Sequence, residues 1–483
     1  MELIFILIIP IIAAALSLVP AGKKFAPGIT VAGAVAVFIL ALRTAFRVVA
    51  GTELTAVKDW ISADGLGALI ILLVSFVGLT AAIFSWGYIE KMVGTGSLGR
   101  LRRYYCRYNL FVFSMLSIPI LSQVSLVWVA VELTTLLSVL LVSFKNTAEA
   151  LEAAWKYVIL TCMGAAFALI GILILYWGMH IAGGGLFTWK DLVKVAPAIP
   201  PSLLKTAFIF ILIGFGTKIG LVPLHTWLPD AHSQAPSPIC ALLSGVETTT
   251  VLYVILRLLP ILEASTTINT GNWFIVSGLV SVGAAAFLLI QVKDYKRLFA
   301  FSTVEHMGII MVAAGLGGFA GHLGAVYQIL THSLTKSLAF FAAGSVLLLV
   351  GSRNIAKVRG LIRISPLAGG ALLLGGLAIA GAPPFAVFLS EFSILKAGIA
   401  GGHYLAITLL TIFIVIAFCA LMFHINRMVF GNPAPELVKP TPALPLPMII
   451  SLVLAVIPVV LLGFYMPTTL NKLLLQAAAS LGR

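Results

Sequence analysis

Apolar stretches of about twenty residues recur from Met1 almost to the last residue of this chain, separated by short polar breaks. As a helix rising ~1.5 Å per residue, each can cross a hydrocarbon layer of ~30 Å. About fourteen such stretches make a lipid bilayer the solvent in which the chain folds. Hydrocarbon offers no partner to a backbone N–H or C=O, so the spans must be helices that satisfy those groups internally. The fold class is therefore all-α and polytopic. Only 10% of the residues are charged, against roughly 25% in soluble domains. The stretches fall at about 2–20, 29–50, 65–87, 108–122, 124–145, 150–178, 203–228, 237–259, 272–292, 298–316, 322–350, 366–398, 404–430 and 446–466. The first has no basic residue ahead of it and further spans follow, so it reads as a membrane helix and not as a signal peptide.

A net charge of +14 points first to nucleic acid. The basic residues, however, sit in short connections beside apolar spans and not on a soluble face, which is a pattern of membrane topology. One set of alternate connections carries Lys23, Lys24, Lys91, Arg100, Arg102, Arg103, Arg107, Lys145, Lys293, Lys296, Arg297, Arg353 and others through Lys439. The opposite set carries Arg43, Arg47, Lys58, Lys190, Lys194, Lys205, Arg257 and little else. The positive-inside bias places the richer side in the cytoplasm, which implies the cytoplasmic (inner) membrane with both termini on its outer face. Cys106, Cys162, Cys240 and Cys419 are isolated, with no C-x-x-C pair and no dense Cys/His cluster. No disulfide, zinc or iron–sulfur site is expected, and no metal or cofactor on this chain.

Two of the long stretches are interrupted. The seventh contains Gly220 and Pro223 in Lys218-Ile219-Gly220-Leu221-Val222-Pro223; the twelfth contains Gly381, Pro383 and Pro384, followed by Ser390-Glu391. Proline removes a backbone donor and clashes with the preceding turn, so the unwound backbone has to face protein or internal water. Interruptions five stretches apart indicate two five-helix units, and an odd number of spans inverts the second unit relative to the first. The resulting division is 1–107 for the first three helices, 108–259 and 272–430 for the two units, and 446–483 for the last helix and a short tail. Ordinary proline kinks are the alternative.

A mid-membrane acid or base costs ~2.5–3.5 kcal/mol even on the lower scales. Glu132, Lys156, Lys218, Glu247, Lys336 and Glu391 all read as such positions. Snorkelling or a helix-locking ion pair would explain any one of them. The set runs acid, base, base, acid, base, acid along the chain, which suits a series of titratable stations. Lysine is apt because burial and a nearby carboxylate move its proton affinity in opposite directions. Lys218 is expected to hold its proton while paired with Glu132 and to pass it toward Lys336 and Glu391 when that pair separates. Gln328, His332 and Lys336, at i, i+4 and i+8, share one helix face, with packing as the alternative role for the histidine. His225, Asp230 and His232 superficially suggest metal ligands, but the prolines among them and the lack of a cysteine or second carboxylate better suit a loop at the mouth of the Lys218 break. Glu305 and His306 either line the same axis or pair at the surface.

On these residues the sequence resembles the proton-pumping membrane subunit family shared by respiratory complex I, multisubunit cation/proton antiporters and energy-converting hydrogenases. The likeness covers nearly the whole chain. It is most specific from Lys218 through Pro238, in the stretch holding Glu132, from Lys296 through Gly308, around His332 and Lys336, and at Glu391. The resemblance implies fourteen helices, inverted repeats of helices 4–8 and 9–13, broken helices 7 and 12, and two linked half-channels. It further implies Glu132 and Lys218 as a coupling pair, Lys156 as the family's helix 6 lysine, Lys336 with His332 as the central connection, and Glu391 as the exit-side group. Two positions depart from the family pattern: Thr249 stands where many relatives carry lysine, and Gln328 where some carry histidine. Glu247 lies two residues from Thr249, about 200° around a helix, and cannot take over that face without local distortion. The segments 128–142 and 150–157 are most similar to subunits of formate hydrogenlyase and membrane-bound hydrogenases.

The function these observations imply is translocation of protons, or of sodium, by a subunit of a membrane-bound redox complex of the hydrogenase, formate hydrogenlyase or NADH:quinone oxidoreductase type. No redox centre is expected on this chain. Its implied partners are sister antiporter-like subunits, small membrane subunits and a peripheral redox arm, and no nucleic acid; the long lateral helix of the largest relatives is not expected. A free-standing sodium/proton antiporter component and a scaffold whose charges only lock helices together are the competing readings.

Overall fold

Every one of the apolar stretches is helical in the computed structural model, which describes residues 1–57, 60–94, 97–265, 270–433 and 443–482. Lys58 and Lys439, used in the comparison of loop charges, lie outside the described residues. The chain runs through α1 (Glu2–Ser17), α2 (Phe25–Val49), α3 (Gly65–Val93), α4 (Leu98–Ile120), α5 (Val124–Val142), α6 (Ala148–Ile181), a short α7 (Trp189–Val195) and α8 (Pro201–Ile219). Past the first break come α9 (Trp227–Gln234) and a helix built from α10 (Ser237–Leu242), a π-helical turn (Leu243–Glu247) and α11 (Thr248–Leu256), with α12 (Leu259–Ala264) behind it. Then follow α13 (Gly271–Ile290), α14 (Tyr295–Gly315), α15 (Gly318–Val350), α16 (Leu361–Ile364) and α17 (Pro366–Ile379). Past the second break stand α18 (Ala386–Ala400), α19 (Tyr404–Val429), α20 (Leu446–Phe464) and α21 (Thr468–Ala479).

Among the described residues, eleven helices are long and apolar enough to cross a membrane. The other three expected spans differ for visible reasons. α1 has 16 residues, the twelfth stretch is divided by its break, and α4 starts at Leu98, because the arginine-rich segment ahead of residue 108 continues the helix. Side chains set several of the starts: Asp64 accepts from Gly67 N at 2.9 Å ahead of α3, Thr147 from Ala150 N at 3.3 Å ahead of α6, and Asp294 from Lys296 N at 2.8 Å ahead of α14. The Asp64 carboxylate is also gripped by Arg257, with bonds of 2.5 and 2.6 Å, which ties the start of α3 to the end of α11.

In hydrocarbon, helices gain nothing by hiding leucine, so they associate through close contact and internal hydrogen bonds. α6 and α8 meet at glycine: a β-carbon on Gly164 would stand 2.6 Å from Gly214 O. α13 and α14 meet likewise, a β-carbon on Gly278 falling 2.6 Å from Gly308 O. The outer faces stay apolar, with Trp155, Ile159, Leu405 and Phe423 exposed, while α10, α11, α14 and α15 are almost wholly enclosed. Buried polar residues, among them Glu247, Lys296, Glu305, His306, Gln328, His332 and Lys336, gather in that enclosed centre. A small hairpin, β1 (Leu54–Ala56) and β2 (Ile61–Ala63), pairs Leu54 with Ala63 and lies over the end of α4 through the Ser62–Ser122 bond of 2.7 Å.

Candidate functional site

Both breaks open where the sequence places them, and with the same backbone figure. α8 stops at Ile219, Gly220 takes φ +83°, and the Val222–Pro223 bond is cis. α17 stops at Ile379, Gly381 takes φ +72°, and the Pro383–Pro384 bond is cis. A left-handed residue at a helix end is least strained when it lacks a β-carbon, which favours glycine at both points. Each break frees backbone groups that a membrane interior cannot leave unpaired. Trp227 Nε1 donates to Thr217 O at 2.8 Å, Ser281 Oγ accepts from Val222 N at 3.1 Å, and His306 Nε2 stands 3.1 Å from Ile379 O.

At the first break Lys218 is enclosed, its side chain 3% exposed. Its ammonium lies 3.0 Å from Glu247 Oε1, 3.2 Å from the Tyr157 hydroxyl, and donates to Thr135 Oγ1. Tyr157 in turn donates to Glu247 Oε1 at 3.1 Å and bonds Ser138 Oγ at 2.7 Å, so one phenol closes the ring around the ion pair. The expected Lys218–Glu132 pair is therefore corrected: the partner is Glu247. Glu132 is half-buried and within electrostatic reach of Lys218, but its nearest donor is the Cys162 thiol at 3.8 Å, and its Oε1 has no hydrogen-bond partner among the described residues.

A π-helical turn lies where the partner changes. Widening one turn inserts a residue and rotates the downstream residues by about 100°, half of the separation between Glu247 and the Thr249 face, and Glu247 sits at the end of that turn. The wide turn also strands carbonyls, and the residues around it take them up. Thr248 Oγ1 donates to Ser244 O at 2.7 Å, Thr249 Oγ1 to Val246 O at 3.0 Å and Gly245 O at 3.2 Å, and Thr250 Oγ1 to Glu247 O at 2.7 Å. Thr249, the departure from the family lysine, thus serves the backbone. Ser244 O also lies 3.0 Å from His332 Nε2 on α15, so the same turn joins the first break to the centre.

In the centre, His332 and His306 face each other with ring centroids 5.1 Å apart. Lys336 is fully buried, donating to Phe299 O at 3.2 Å and to Ser302 Oγ, within electrostatic reach of Glu305. Glu305 and His306 are both enclosed, which excludes their surface pairing. Gln328 continues the line: its Nε2 is 3.4 Å from His306 Nδ1, and its Oε1 accepts from Ser390 Oγ. Ser390 adjoins Glu391, whose carboxylate is folded across the second break so closely that a β-carbon on Gly381 would overlap it.

Lys156 does not join this line. It stands two turns into α6 with its side chain 48% exposed, 2.7 Å from Glu152 and 3.1 Å from Asp230. The expectation that it occupies a costly mid-membrane position is corrected, because its place near the helix start lets the ammonium reach polar surroundings. Asp230 also pairs with Arg297 at 2.5 Å. His225 and His232 do not converge with Asp230: His225 adjoins the Phe301 ring and His232 Nδ1 lies 2.8 Å from Leu228 O. Lys296, which sequence reasoning counted as a loop charge, is fully buried and caps carbonyls at the end of α9, with bonds of 2.5 Å to Ala235 O and 3.3 Å to Ser233 O. Tyr157 was not anticipated as part of the site, and a tyrosine among apolar helix residues carries no sequence signal beyond its hydroxyl needing a partner.

The sequence profile described as NADH:quinone oxidoreductase/Mrp antiporter, transmembrane, matches residues 122–417, a span that holds both breaks and the whole line from Glu132 to Glu391. The chain belongs to that family. It is an antiporter-like, multi-pass membrane protein of the NADH:quinone oxidoreductase/Mrp antiporter family, as the resemblance of its motifs implied. A hydrogenase-4 component F homolog of Methylacidiphilum infernorum is 41% identical over 376 residues, covering 77% of this chain and 79% of that relative. The Na(+)/H(+) antiporter subunit A1 of Staphylococcus aureus is 30% identical over 422 residues, covering 82% of this chain, which spans only 50% of that longer protein. Two solved complexes share the fold at a TM-score of 0.87 and cover 99% of this chain: an archaeal membrane-bound sulfane sulfur reductase, at 23% identity, and the Mrp complex of Dietzia sp. DQ12-45-1b, at 19%.

Proposed function

We propose that this chain translocates protons across the cytoplasmic membrane as one membrane subunit of a redox-driven complex of the hydrogenase type. The observation that carries the reading is the row of enclosed polar groups between the two helix breaks: the Lys218–Glu247 pair, the Ser244 carbonyl bonded to His332, the His332 and His306 rings 5.1 Å apart, Gln328 between His306 and Ser390, and Glu391. A scaffold would need neither enclosed ions nor paired breaks. Lys218 stands between two carboxylates, and only Glu247 holds it. Movement of the ammonium from Glu247 to the free Oε1 of Glu132 would separate the ring closed by Tyr157 and let a proton pass toward His332 and Lys336. Glu391 would then release it at the second break.

This reading includes inverted repeats of helices 4–8 and 9–13, for which the matching figures at Gly220 and Gly381 argue. It also places both termini on the outer face, on the strength of the basic connections, and assigns the redox chemistry and its cofactors to partner subunits. Those partners are sister antiporter-like subunits, small membrane subunits and a peripheral arm, in line with the multisubunit complexes that the fold relatives come from. The sodium-named relative supports sodium/proton exchange as a second reading. The test is Lys218→Met in the intact complex, with redox-driven proton uptake followed by dye quenching in inverted vesicles, with and without sodium. Loss of uptake is expected; uptake at the unmodified level would remove Lys218 from the path, and strict dependence on sodium would favour exchange.

A further inference from the structure

Away from the polar line, a basic hollow lies between the ends of α4 and α5. Arg100, Arg103 and Arg107 recur at i, i+3 and i+7 along α4 and so share a face, and with Lys145 and Asn146 beyond α5 they line a cavity of about 510 Å³. Two arginines are fixed against the opposite wall. Arg100 Nη2 donates to Phe144 O at 2.6 Å with its guanidinium 4.9 Å over the Phe144 ring, and Arg107 Nη1 donates to Leu140 O at 3.1 Å. Arg103 turns Nε back to Gly99 O at 3.3 Å. Arg103 and Arg107 lie within reach of each other's charge, and none of the four cations forms an ion pair with a carboxylate among the described residues. Asp294 lies within electrostatic reach of Lys145 without pairing with it, and Lys296 and Arg353 add positive charge from the same side, so the hollow keeps an excess of like charge and is set for an anion.

The surface leading from it says which kind. Along α5, Leu140, Leu136 and Val129 are 40%, 56% and 53% exposed, at spacings that keep them in one column below the hollow. A free anion would need only the cations. A lipid needs both the cations and the column.

We propose that this hollow binds the phosphate headgroup of an anionic phospholipid, with an acyl chain along the Leu140–Leu136–Val129 column. Arginine forks match phosphate oxygens, and basic pockets between membrane helices at the cytoplasmic surface suit anionic headgroups. A zwitterionic headgroup would bring its own cation toward four others. The column passes Glu132, three residues from Val129 and four from Leu136, so the bound chain also covers the outer side of that carboxylate. The site stands whichever ion the chain moves.

Native mass spectrometry of the full chain in its purified assembly tests this, comparing phosphatidylglycerol, phosphatidylcholine and inorganic phosphate. The double variant Arg103→Gln, Lys145→Gln spares the two arginines that fix the walls. At roughly five-fold for each cation near the headgroup layer, it is expected to weaken phosphatidylglycerol retention about twenty-five-fold. The charge-keeping pair Arg103→Lys, Lys145→Arg should retain the lipid, which separates lost charge from lost folding. Equal retention of the two lipids by the unmodified protein overturns the proposal, as does phosphatidylglycerol held equally by the double variant. Displacement of the lipid by inorganic phosphate at comparable concentration would reduce the hollow to a free-anion site and overturn it too.

Discussion

Replacing Gly381 with alanine asks whether the Glu391 carboxylate at the second break belongs to the proton path. Gly381 sits at φ +72°, where an L-residue costs roughly 1–2 kcal/mol. The new β-carbon would overlap Glu391 Oε2 and stand 3.2 Å from its Cδ, so the carboxylate must withdraw by about 1 Å to regain ordinary contact. Gly351 provides the control. Its φ is +71° and nothing lies within 4 Å of a β-carbon built there, so Gly351→Ala carries the same backbone cost and displaces no group. Gly351→Ala should therefore lose about 1–2 kcal/mol of stability, and Gly381→Ala that backbone cost plus about 1–3 kcal/mol for the displaced carboxylate, read as a smaller and a larger shift in melting temperature of the purified complex. Their transport should differ. Proton transfer needs heavy atoms roughly 2.6–3.2 Å apart, and a 1 Å misplacement costs on the order of a hundred-fold. In inverted vesicles energised by the redox substrate, Gly381→Ala should cut the rate of proton uptake by roughly ten- to a hundred-fold, with Gly351→Ala close to the unmodified protein. Equal uptake by the two variants would refute the assignment of Glu391 to the path.

Glu247→Gln removes the charge that holds the enclosed Lys218 ammonium and leaves it neutral acceptors only, Thr135, Tyr157 and the variant's amide oxygen, with Glu132 the remaining carboxylate within electrostatic reach; it should cost about 3–5 kcal/mol and abolish uptake, and an unshifted melting temperature with normal uptake would contradict the pairing. Tyr157→Phe removes the bonds to Lys218, Glu247 and Ser138, for about 1–3 kcal/mol, and should slow uptake without stopping it; an unchanged rate would show that the phenol bridges nothing of consequence. Asp64→Asn should lower thermal stability at neutral pH. Burial of Asp64 raises its proton affinity, but the Arg257 charge and hydrogen bonds outweigh that and hold the carboxyl below the usual 3.8, so its contribution is complete above that pH and fades as pH falls below it. The difference in melting temperature between variant and unmodified protein should accordingly close only in that acidic window, and a gap that closes near neutrality would count against the pair.

Hydropathy, proline and ionisable side chains are properties of a stretch of chain, and they were readable one stretch at a time. The solvent, the helical spans, the two breaks at Gly220 and Gly381, and the depth of Lys218, Lys336 and Glu391 all follow from residues within about twenty positions of each other. Even the need for a distortion near Glu247 could be stated from the 100° step of a helix.

Which groups touch is a different matter, since it depends on how each helix is rotated and how far it slides against neighbours distant in sequence. Glu247, at the end of the widened turn Leu243–Glu247, and not Glu132 is the partner of Lys218, a contact between residues 29 apart along the chain. A two-turn offset along α6 put Lys156 against Asp230 at the surface, while the packing of α14 against α15 enclosed Glu305 and His306, and the end of α9 received Lys296. The same ammonium or carboxylate is a path member or a surface ion according to such shifts of a few ångströms. The local sequence carries their chemistry, and only the assembled bundle sets their distances.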